Sequence, residues 1–139
     1  RPSTDALHDA GIVLDEGLAT DRVVIGEADR RDLVDTGLTA ALAKTGVYLA
    51  IDHVGSDSSE FISDAERARL VVELVASGYG NRVVLSASAT GAAFGVAANM
   101  VPYDIVLTKF VPKLRRAGLA DADVERIIVA NPAELLAVR

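Results

Sequence analysis

One unit recurs three times along the chain, and it limits the folds available. In each unit a short apolar run, rich in β-branched residues, is followed by polar residues, an amphipathic segment of helical periodicity and a glycine. The apolar runs are residues 22–25, 47–51 and 82–85. Strands that alternate with helices run parallel, because each crossover returns the chain to the same end of the sheet. The pattern therefore predicts an α/β fold.

The predicted helices carry signals at their ends. A helix precedes the first strand, and others are expected at about 32–44, at 63–78, and from the loop 86–101 to Gly118. Ser63 and Glu66 have the spacing of a capping box, so the helix between the second and third strands should begin at Ser63. A glycine follows each helical pattern, where a left-handed residue ends a helix: Gly17, Gly46, Gly78 and Gly118.

The C-terminal segment predicts further helix. Apolar residues at i, i+3, i+4 and i+7 indicate one buried stripe: Leu107, Phe110, Val111 and Leu114. Pro112 lies inside this stripe, so the helix either kinks there or restarts with Pro112 in its first turn. Asn131 precedes Pro132, and we expect Asn131 to cap a short final helix.

The length leaves two α/β architectures open. The chain has 139 residues, half of them apolar, which suffices for one domain with a core. Continuous apolar strands favour a sheet covered on both faces. An open doubly wound sheet and part of a closed (β/α)8 barrel both fit. Since a whole barrel needs about 250 residues, the chain would be half a barrel at most.

Composition argues against several classes of function. The net charge of −6 disfavours a nucleic-acid partner. The absence of cysteine excludes disulfides and thiolate metal sites. No apolar run approaches the roughly 20 residues of a membrane span, and no apolar stretch near residue 1 resembles a signal peptide. We therefore expect a cytoplasmic protein that acts neither on nucleic acid nor in a membrane.

Polar residues follow all three predicted strands. In both α/β architectures, function gathers at the carboxyl ends of the strands. The residues at these ends are Glu27 and Asp29, then Asp52 and His53, then Ser86 and Ser88. Their convergence on one rim predicts a functional site. The other histidine, His8, lies in the first predicted helix and is expected to be an ordinary surface residue.

Each rim residue also has a structural interpretation. Glu27 can form an ion pair with Arg30 or Arg31, Asp52 can cap a turn, and His53 can be a hydrogen-bonded residue without a chemical role. The two serines can be small residues that let a loop pass close to the sheet. Other kinds of site lack their motifs, since the chain has no serine-hydrolase elbow, dinucleotide fingerprint or Walker phosphate loop.

Several segments, in consistent order and spacing from about residue 14 to 139, resemble the phosphotriesterase family of the amidohydrolase superfamily. DRVVIGEAD (21–29) resembles the sixth barrel strand of that family, YLAIDH (48–53) the seventh, and GYGNRVVLS (78–86) the approach to the eighth. KFVPKLRRAG (109–118) and NPAELL (131–136) resemble its closing segment. The resemblance implies that the chain is the C-terminal half of a (β/α)8 barrel, covering strands 5 or 6 to 8.

The resemblance also implies a metal-dependent hydrolase that acts on phosphotriesters, lactones or related esters. In such enzymes a hydroxide held by two divalent ions, here expected to be zinc, attacks the substrate. On this basis we assign metal binding to Glu27, catalysis to His53 and Ser88, and substrate binding to Asp29 and Asp52.

The sequence departs from the family at several ligand positions. Glu27 stands where a histidine is expected, Ser88 stands where an aspartate is expected, and Ser3 lies where another histidine would be. Only His53 combines a functional position with the family residue. Glu27 can bind a hard metal through oxygen, but a neutral serine replaces a carboxylate poorly. Zinc binding by this chain alone is therefore expected to be weak or absent.

Two hypotheses of different class follow. In the first, the chain is part of a hydrolase with an altered metal site, completed by ligands from a partner segment. In the second, it is a non-catalytic half-barrel that acts as a binding or oligomerisation module. In both, a sheet cut from a barrel has unpaired edges, so we expect a homo-oligomer or pairing with a missing N-terminal half.

Overall fold

Three parallel strands form the centre of the protein in a computed structural model, which describes residues 5–88 and 101–137. The strands are β1 (Val24–Ile25), β2 (Tyr48–Ile51) and β3 (Val83–Leu85), in the order β1-β2-β3. Leu49 of β2 pairs with Ile25 on one side and Val83 on the other. The predicted α/β alternation is confirmed. The strands are shorter than the apolar runs, because 3₁₀ turns at Thr20–Arg22 and Gly80–Arg82 precede β1 and β3.

Helices connect the strands and complete the chain. α1 (Ala6–Asp15) precedes β1, while α2 (Arg31–Asp35) and α3 (Leu38–Lys44) lie between β1 and β2. α4 (Asp64–Ala76) connects β2 to β3. A π-helical turn at Val106–Phe110 leads into α5 (Val111–Arg116). The remaining elements are α6 (Asp121–Glu125), a second π-helical turn (Arg126–Ala130) and α7 (Asn131–Leu136).

The predicted helix signals are present. The Ser63 hydroxyl accepts from the Glu66 N–H at 3.4 Å, and the Glu66 carboxylate accepts from the Ser63 N–H at 2.7 Å, which completes the capping box. The four predicted C-terminal glycines have φ between 84° and 100°. The helix expected at about 32–44 is two helices, because Gly37 adopts φ 77° between them.

The helices cover one face of the sheet. Leu49, Ile51 and Val83 point into a single buried core. They share it with helix residues Leu42, Val71, Leu74, Phe110, Leu114 and Ile127. Because side chains alternate along a strand, the opposite face carries Val24, Tyr48, Ala50 and Val84.

That opposite face is less well covered. Tyr48 is buried, and its hydroxyl accepts from Arg82 Nη1 at 3.0 Å, with the guanidinium 4.8 Å from the ring centre. Val24 is 42% exposed. The expectation of cover on both faces is therefore wrong at Val24, which lies on the edge strand β1.

Two predictions for the C-terminal helices are wrong. Leu107 is 57% exposed, although Phe110, Val111 and Leu114 are buried. The π-helical turn adds more residues per turn than an α-helix and so moves Leu107 out of the stripe. Asn131 is not a cap, because it lies inside α7 and is 2% exposed.

The side chain of Asn131 binds the sheet instead. Its Nδ2 donates to Gly80 O at 2.8 Å and to Val83 O at 2.7 Å, so α7 is tied to the start of β3. Pro112 lies in the first turn of α5, so the restart at Pro112 is confirmed.

The outer edges of β1 and β3 pair with no other strand of the described segments. A groove of about 440 Å³ runs beside β3, between its end and the C-terminal helices. Its lining residues include Leu85, Ser88, Tyr103, Leu107 and Ile128. In the part of the chain that is described, no helix has the length and hydrophobicity to cross a membrane.

Candidate functional site

The ends of the three strands lie side by side and form a rim, defined here as residues 26–29, 52–54 and 86–88. Backbone hydrogen bonds hold it in place: the Ala28 N–H donates to Ala50 O of β2 at 3.1 Å, and the Val54 N–H donates to Ser86 O at 3.2 Å. The predicted convergence of polar residues therefore occurs.

Asp52 joins the two outer parts of the rim. Its carboxylate accepts from the Glu27 N–H at 3.1 Å, and its carbonyl accepts from the Ser88 hydroxyl at 2.7 Å. Burial raises the pKa of the Asp52 carboxyl above its ordinary value, against the opposing effect of the Glu27 N–H. Asp52 thus links neighbouring strand ends, and its role in substrate binding stays a prediction.

The backbone is strained at two rim positions. Glu27 has φ 53° and Ser88 has φ 46°, and they are the non-glycine residues with positive φ in the described segments. Such conformations are uncommon for residues with a Cβ and are concentrated at functional sites. Both are positions at which the resemblance places metal ligands.

His53 is held on several sides. Its Nδ1 lies 2.9 Å from Asp52 Oδ1 and 3.4 Å from Asp29 Oδ1, although neither approach is aligned as a good hydrogen bond. Its ring stacks on Phe61, with ring centres 3.5 Å apart and planes 14° from parallel. Because both neighbours of Nδ1 are carboxylates, Nδ1 is the nitrogen expected to carry the proton. Nε2 is then the nitrogen able to accept one.

A buried ion pair lies behind His53. Asp29 and Arg67 are both fully buried, and Arg67 Nε donates to Asp29 Oδ2 at 2.6 Å. Arg67 Nη1 also donates to Asp64 Oδ1 at 2.8 Å. Asp29 Oδ2 accepts from the His53 N–H at 3.2 Å as well.

Arg67 was missed by the sequence reasoning, although a signal was present. Arg67, Leu70, Val71 and Leu74 are spaced i, i+3, i+4 and i+7, so a charged residue occupies the apolar face of a predicted helix. A charge on such a face is rarely buried without a partner. That partner, Asp29, is 38 residues away.

The remaining predicted residues take different places. The Glu27 carboxylate lies 3.6 Å from Arg30 Nη1 and is 37% exposed, so the ion-pair alternative for Glu27 is also present. Ser86 takes part in the rim through its backbone. His8 is exposed, as expected.

The described residues do not form a complete zinc site. A catalytic zinc ion takes about three protein ligands and keeps an open position. Among residues 5–88 and 101–137, one group of three acidic or histidine residues has ligand atoms within 4.8 Å of one another: Asp29, Asp52 and His53. The Asp29 carboxylate is already paired with Arg67, and Glu27 does not belong to the group. A metal ion at Glu27 would need ligands from elsewhere.

Comparison with known proteins assigns the chain to a family. Residues 2–136 match the family model described as Phosphotriesterase family. The chain belongs to the phosphotriesterase family.

The similar proteins are longer than this chain. N-acetyltaurine hydrolase of Dictyostelium discoideum is 29% identical over 146 residues, which cover 99% of this chain and 39% of that protein. The Phosphotriesterase homology protein of Escherichia coli is 31% identical over 132 residues, covering 95% and 44%. The crystal structure of a Resiniferatoxin-binding protein from Rhodobacter sphaeroides superposes with a TM-score of 0.81 at 29% identity, covering 94% and 38%.

Family membership decides between the two α/β architectures. The structural neighbours are barrels of the phosphotriesterase type, so the parallel strands and helices of this chain are part of a (β/α)8 barrel. The chain spans about 40% of the length of these proteins. The rim described above is thus one section of the carboxyl end of a barrel, where barrel enzymes carry their active sites.

Proposed function

We propose that residues 1–139 are one domain that supplies the C-terminal half of the active-site barrel of a hydrolase with an altered metal site. The substrate class is small esters, lactones or phosphotriesters. The observation that carries this proposal is the joined rim, in which Asp52 links Glu27 on one side to Ser88 on the other. A rim of side chains held by one another is suited to chemistry on a small molecule.

His53 is assigned proton transfer. Nδ1 faces two carboxylates, so the other ring nitrogen, Nε2, takes a proton from an attacking water or returns it to the leaving group. Asp52 keeps the ring in this orientation and is close enough to the rim surface to contact substrate. Asp29 is fully buried, which favours an action through His53 over direct contact with substrate.

Glu27 and Ser88 are assigned to the positions that face the barrel axis. The Glu27 carboxylate can supply one oxygen ligand to a divalent metal ion. The Ser88 hydroxyl donates to Asp52 O, and its lone pairs remain for a weak contact. A bound zinc ion would acidify water and polarise the substrate oxygen. The rest of its ligands would come from outside the described residues.

The names of two relatives support a hydrolase. One is an N-acetyltaurine hydrolase and the other a Phosphotriesterase homology protein. Amides, esters and phosphotriesters all react by attack of water on an electrophilic carbon or phosphorus, so one rim can serve any of them. The substrate itself is set by loops that vary freely on one scaffold.

The test is hydrolysis by the full-length protein, with and without added zinc. The probes are a 4-nitrophenyl ester, a five-membered lactone and a diethyl 4-nitrophenyl phosphotriester. His53→Asn should lower kcat by about 100-fold or more, the usual effect of losing a general base. The exposed His8 offers a matched control, since His8→Asn should leave kcat unchanged. Equal activity of the two variants would remove His53 from the mechanism.

The alternative is a non-catalytic half-barrel that acts as a binding or oligomerisation module. The departures at Glu27 and Ser88 and the open groove beside β3 favour it. No turnover of any probe by the full-length protein, with less than one equivalent of zinc retained after dialysis, would support this alternative. One or two equivalents of tightly bound zinc would oppose both the alternative and the expectation of a weakened metal site.

A further inference from the structure

Arg67 lies on α4 behind the rim, and it is the largest side chain that is fully buried in the described segments. We infer that Arg67 is a positioning residue, which through Asp29 and Asp64 determines which ring nitrogen of His53 faces substrate. The inference rests on the proposed function in one respect, which is that Nε2 is the nitrogen that transfers the proton.

The first arm of the network runs through Asp29. Arg67 Nε and Asp29 Oδ2 are 2.6 Å apart with both side chains at zero exposure, so the arginine holds the Asp29 carboxylate in a fixed position. The same oxygen accepts from the His53 N–H, and Oδ1 lies 3.4 Å from His53 Nδ1. One carboxylate thus contacts both the backbone and the ring of His53.

The second arm runs through Asp64. Arg67 Nη1 donates to Asp64 Oδ1, and the same oxygen accepts from the Gly55 N–H at 3.0 Å. Gly55 has φ 83° and lies two residues after His53. Lys113 of α5 is 3.7 Å from the other oxygen of Asp64. Arg67 therefore fixes the chain at His53 and at Gly55, and the Phe61 ring covers one face of the imidazole.

Three buried atoms of this network lack an aligned hydrogen-bond partner in the described part of the chain: Asp29 Oδ1, His53 Nδ1 and Arg67 Nη2. A buried ion pair is weak evidence for stability, because desolvation offsets much of its attraction. Unsatisfied buried atoms add to that cost. The network is thus better explained by orientation of His53 than by stability alone.

The expected result of this arrangement is one tautomer. Asp29 Oδ1 and Asp52 Oδ1 are acceptor atoms that flank Nδ1, so the proton is expected on Nδ1 and the Nε2 lone pair on the side away from the carboxylates. A divalent ion among Asp29, Asp52 and His53 is the competing occupant. It is disfavoured because Arg67 already neutralises Asp29 at zero exposure.

The test is the imidazole tautomer, measured by long-range ¹H–¹⁵N correlation NMR. In the full-length protein the His53 signals are identified by their loss in His53→Asn, and His8→Asn identifies those of the exposed His8. His53 should show protonated Nδ1 in the wild type. Arg67→Met should abolish that preference, and Arg67→Lys, which keeps the charge, should restore most of it. Arg69→Met is the matched control, because Arg69 is exposed on the same helix and should leave the spectrum unchanged.

Asp29→Asn keeps the inference testable if Arg67→Met fails to fold. In that variant Arg67 retains Asp64 as its partner, so no buried charge is left alone, and the Nδ1–H preference should weaken in the same way. A wild-type His53 protonated at Nε2 would overturn the inference. So would a folded Arg67→Met or Asp29→Asn variant with an unchanged tautomer. A shift of both His53 nitrogens on adding one equivalent of zinc would establish the metal ion as occupant and overturn it as well.

The spectrum also separates this inference from the proposed function. One outcome is that Arg67→Met loses the Nδ1–H tautomer while the wild type hydrolyses none of the probes. That outcome would support the positioning role of Arg67 and refute the proposed hydrolase. The opposite outcome is hydrolysis by the wild type together with the same His53 tautomer in the wild type and in Arg67→Met. That outcome would support the hydrolase and refute the role of Arg67. If both hold, Arg67→Met should lower kcat with little change in KM, because it misdirects a group that acts in the chemical step.

Discussion

Asn131→Asp is the substitution that best separates two explanations of the Asn131–Pro132 pair. If Asn131 were a helix cap, aspartate would serve equally well, because the two residues are comparable at that position. In the structure the Asn131 amide instead donates both of its hydrogens into the sheet, to Gly80 O and Val83 O. An ionised carboxylate has no hydrogen to donate.

The expected loss of stability follows from the two carbonyls, Gly80 O and Val83 O, that Asn131 binds. Each buried carbonyl left without a donor costs about 1–3 kcal/mol. The introduced carboxylate is itself nearly excluded from water, since the residue is 2% exposed. We therefore expect Asn131→Asp to lower the free energy of unfolding by about 3 kcal/mol or more at neutral pH. The loss should be smaller at acidic pH, because the protonated carboxyl regains one O–H donor.

Urea denaturation, followed by circular dichroism, measures this loss from the shift in midpoint at constant slope. Asn81→Asp is the matched control. Asn81 is exposed in the 3₁₀ turn Gly80–Arg82, so the same chemical change there should alter stability by less than about 0.5 kcal/mol. Equal midpoints for the two variants would refute the reasoning and return Asn131 to the role of a cap.

Three further outcomes are expected. Ser63→Ala should lower the free energy of unfolding by about 1 kcal/mol, while Ser77→Ala at the far end of α4 should not, and equal midpoints would place the helix start elsewhere. Hydrogen bonds from Ser63 lower the pKa of Glu66 to about 2 from 4.5. The stability that this carboxylate provides is therefore complete above pH 4.5 and is lost as the pH falls towards 2. Over that range the difference in urea midpoint between wild type and Glu66→Gln should shrink, and a constant difference would contradict the pKa shift. Light scattering on the 139-residue chain at low micromolar concentration should show an oligomer, because the outer edges of β1 and β3 pair with no strand of the described segments. A monodisperse 14.5 kDa monomer would contradict that expectation.

Much of the fold was predictable because its signals are local. The alternation of apolar runs with helical periodicity predicted parallel strands, and it placed Glu27, Asp52 and His53 at one end of the sheet. The capping box at Ser63 and the restart at Pro112 depend on residues within a few positions of one another, so sequence spacing alone locates them.

The errors arise where a short-range pattern meets a long-range contact. Leu107 fits a helical stripe, but a π-helical turn changes the number of residues per turn and rotates it outwards. Asn131 fits a cap, but its amide finds two carbonyls 48 and 51 residues away. In both cases tertiary packing overrode a local preference.

The sequence by itself determined the order of the β/α units, the polar rim at their ends and the departures at Glu27 and Ser88. Only the tertiary structure decided that Asp29 faces Arg67 and His53 rather than the rim surface. It also decided that Glu27 and Ser88 adopt left-handed backbone conformations. The physical reason is that periodicity specifies which side of an element is buried, whereas the partner of each buried charge depends on how distant elements pack together.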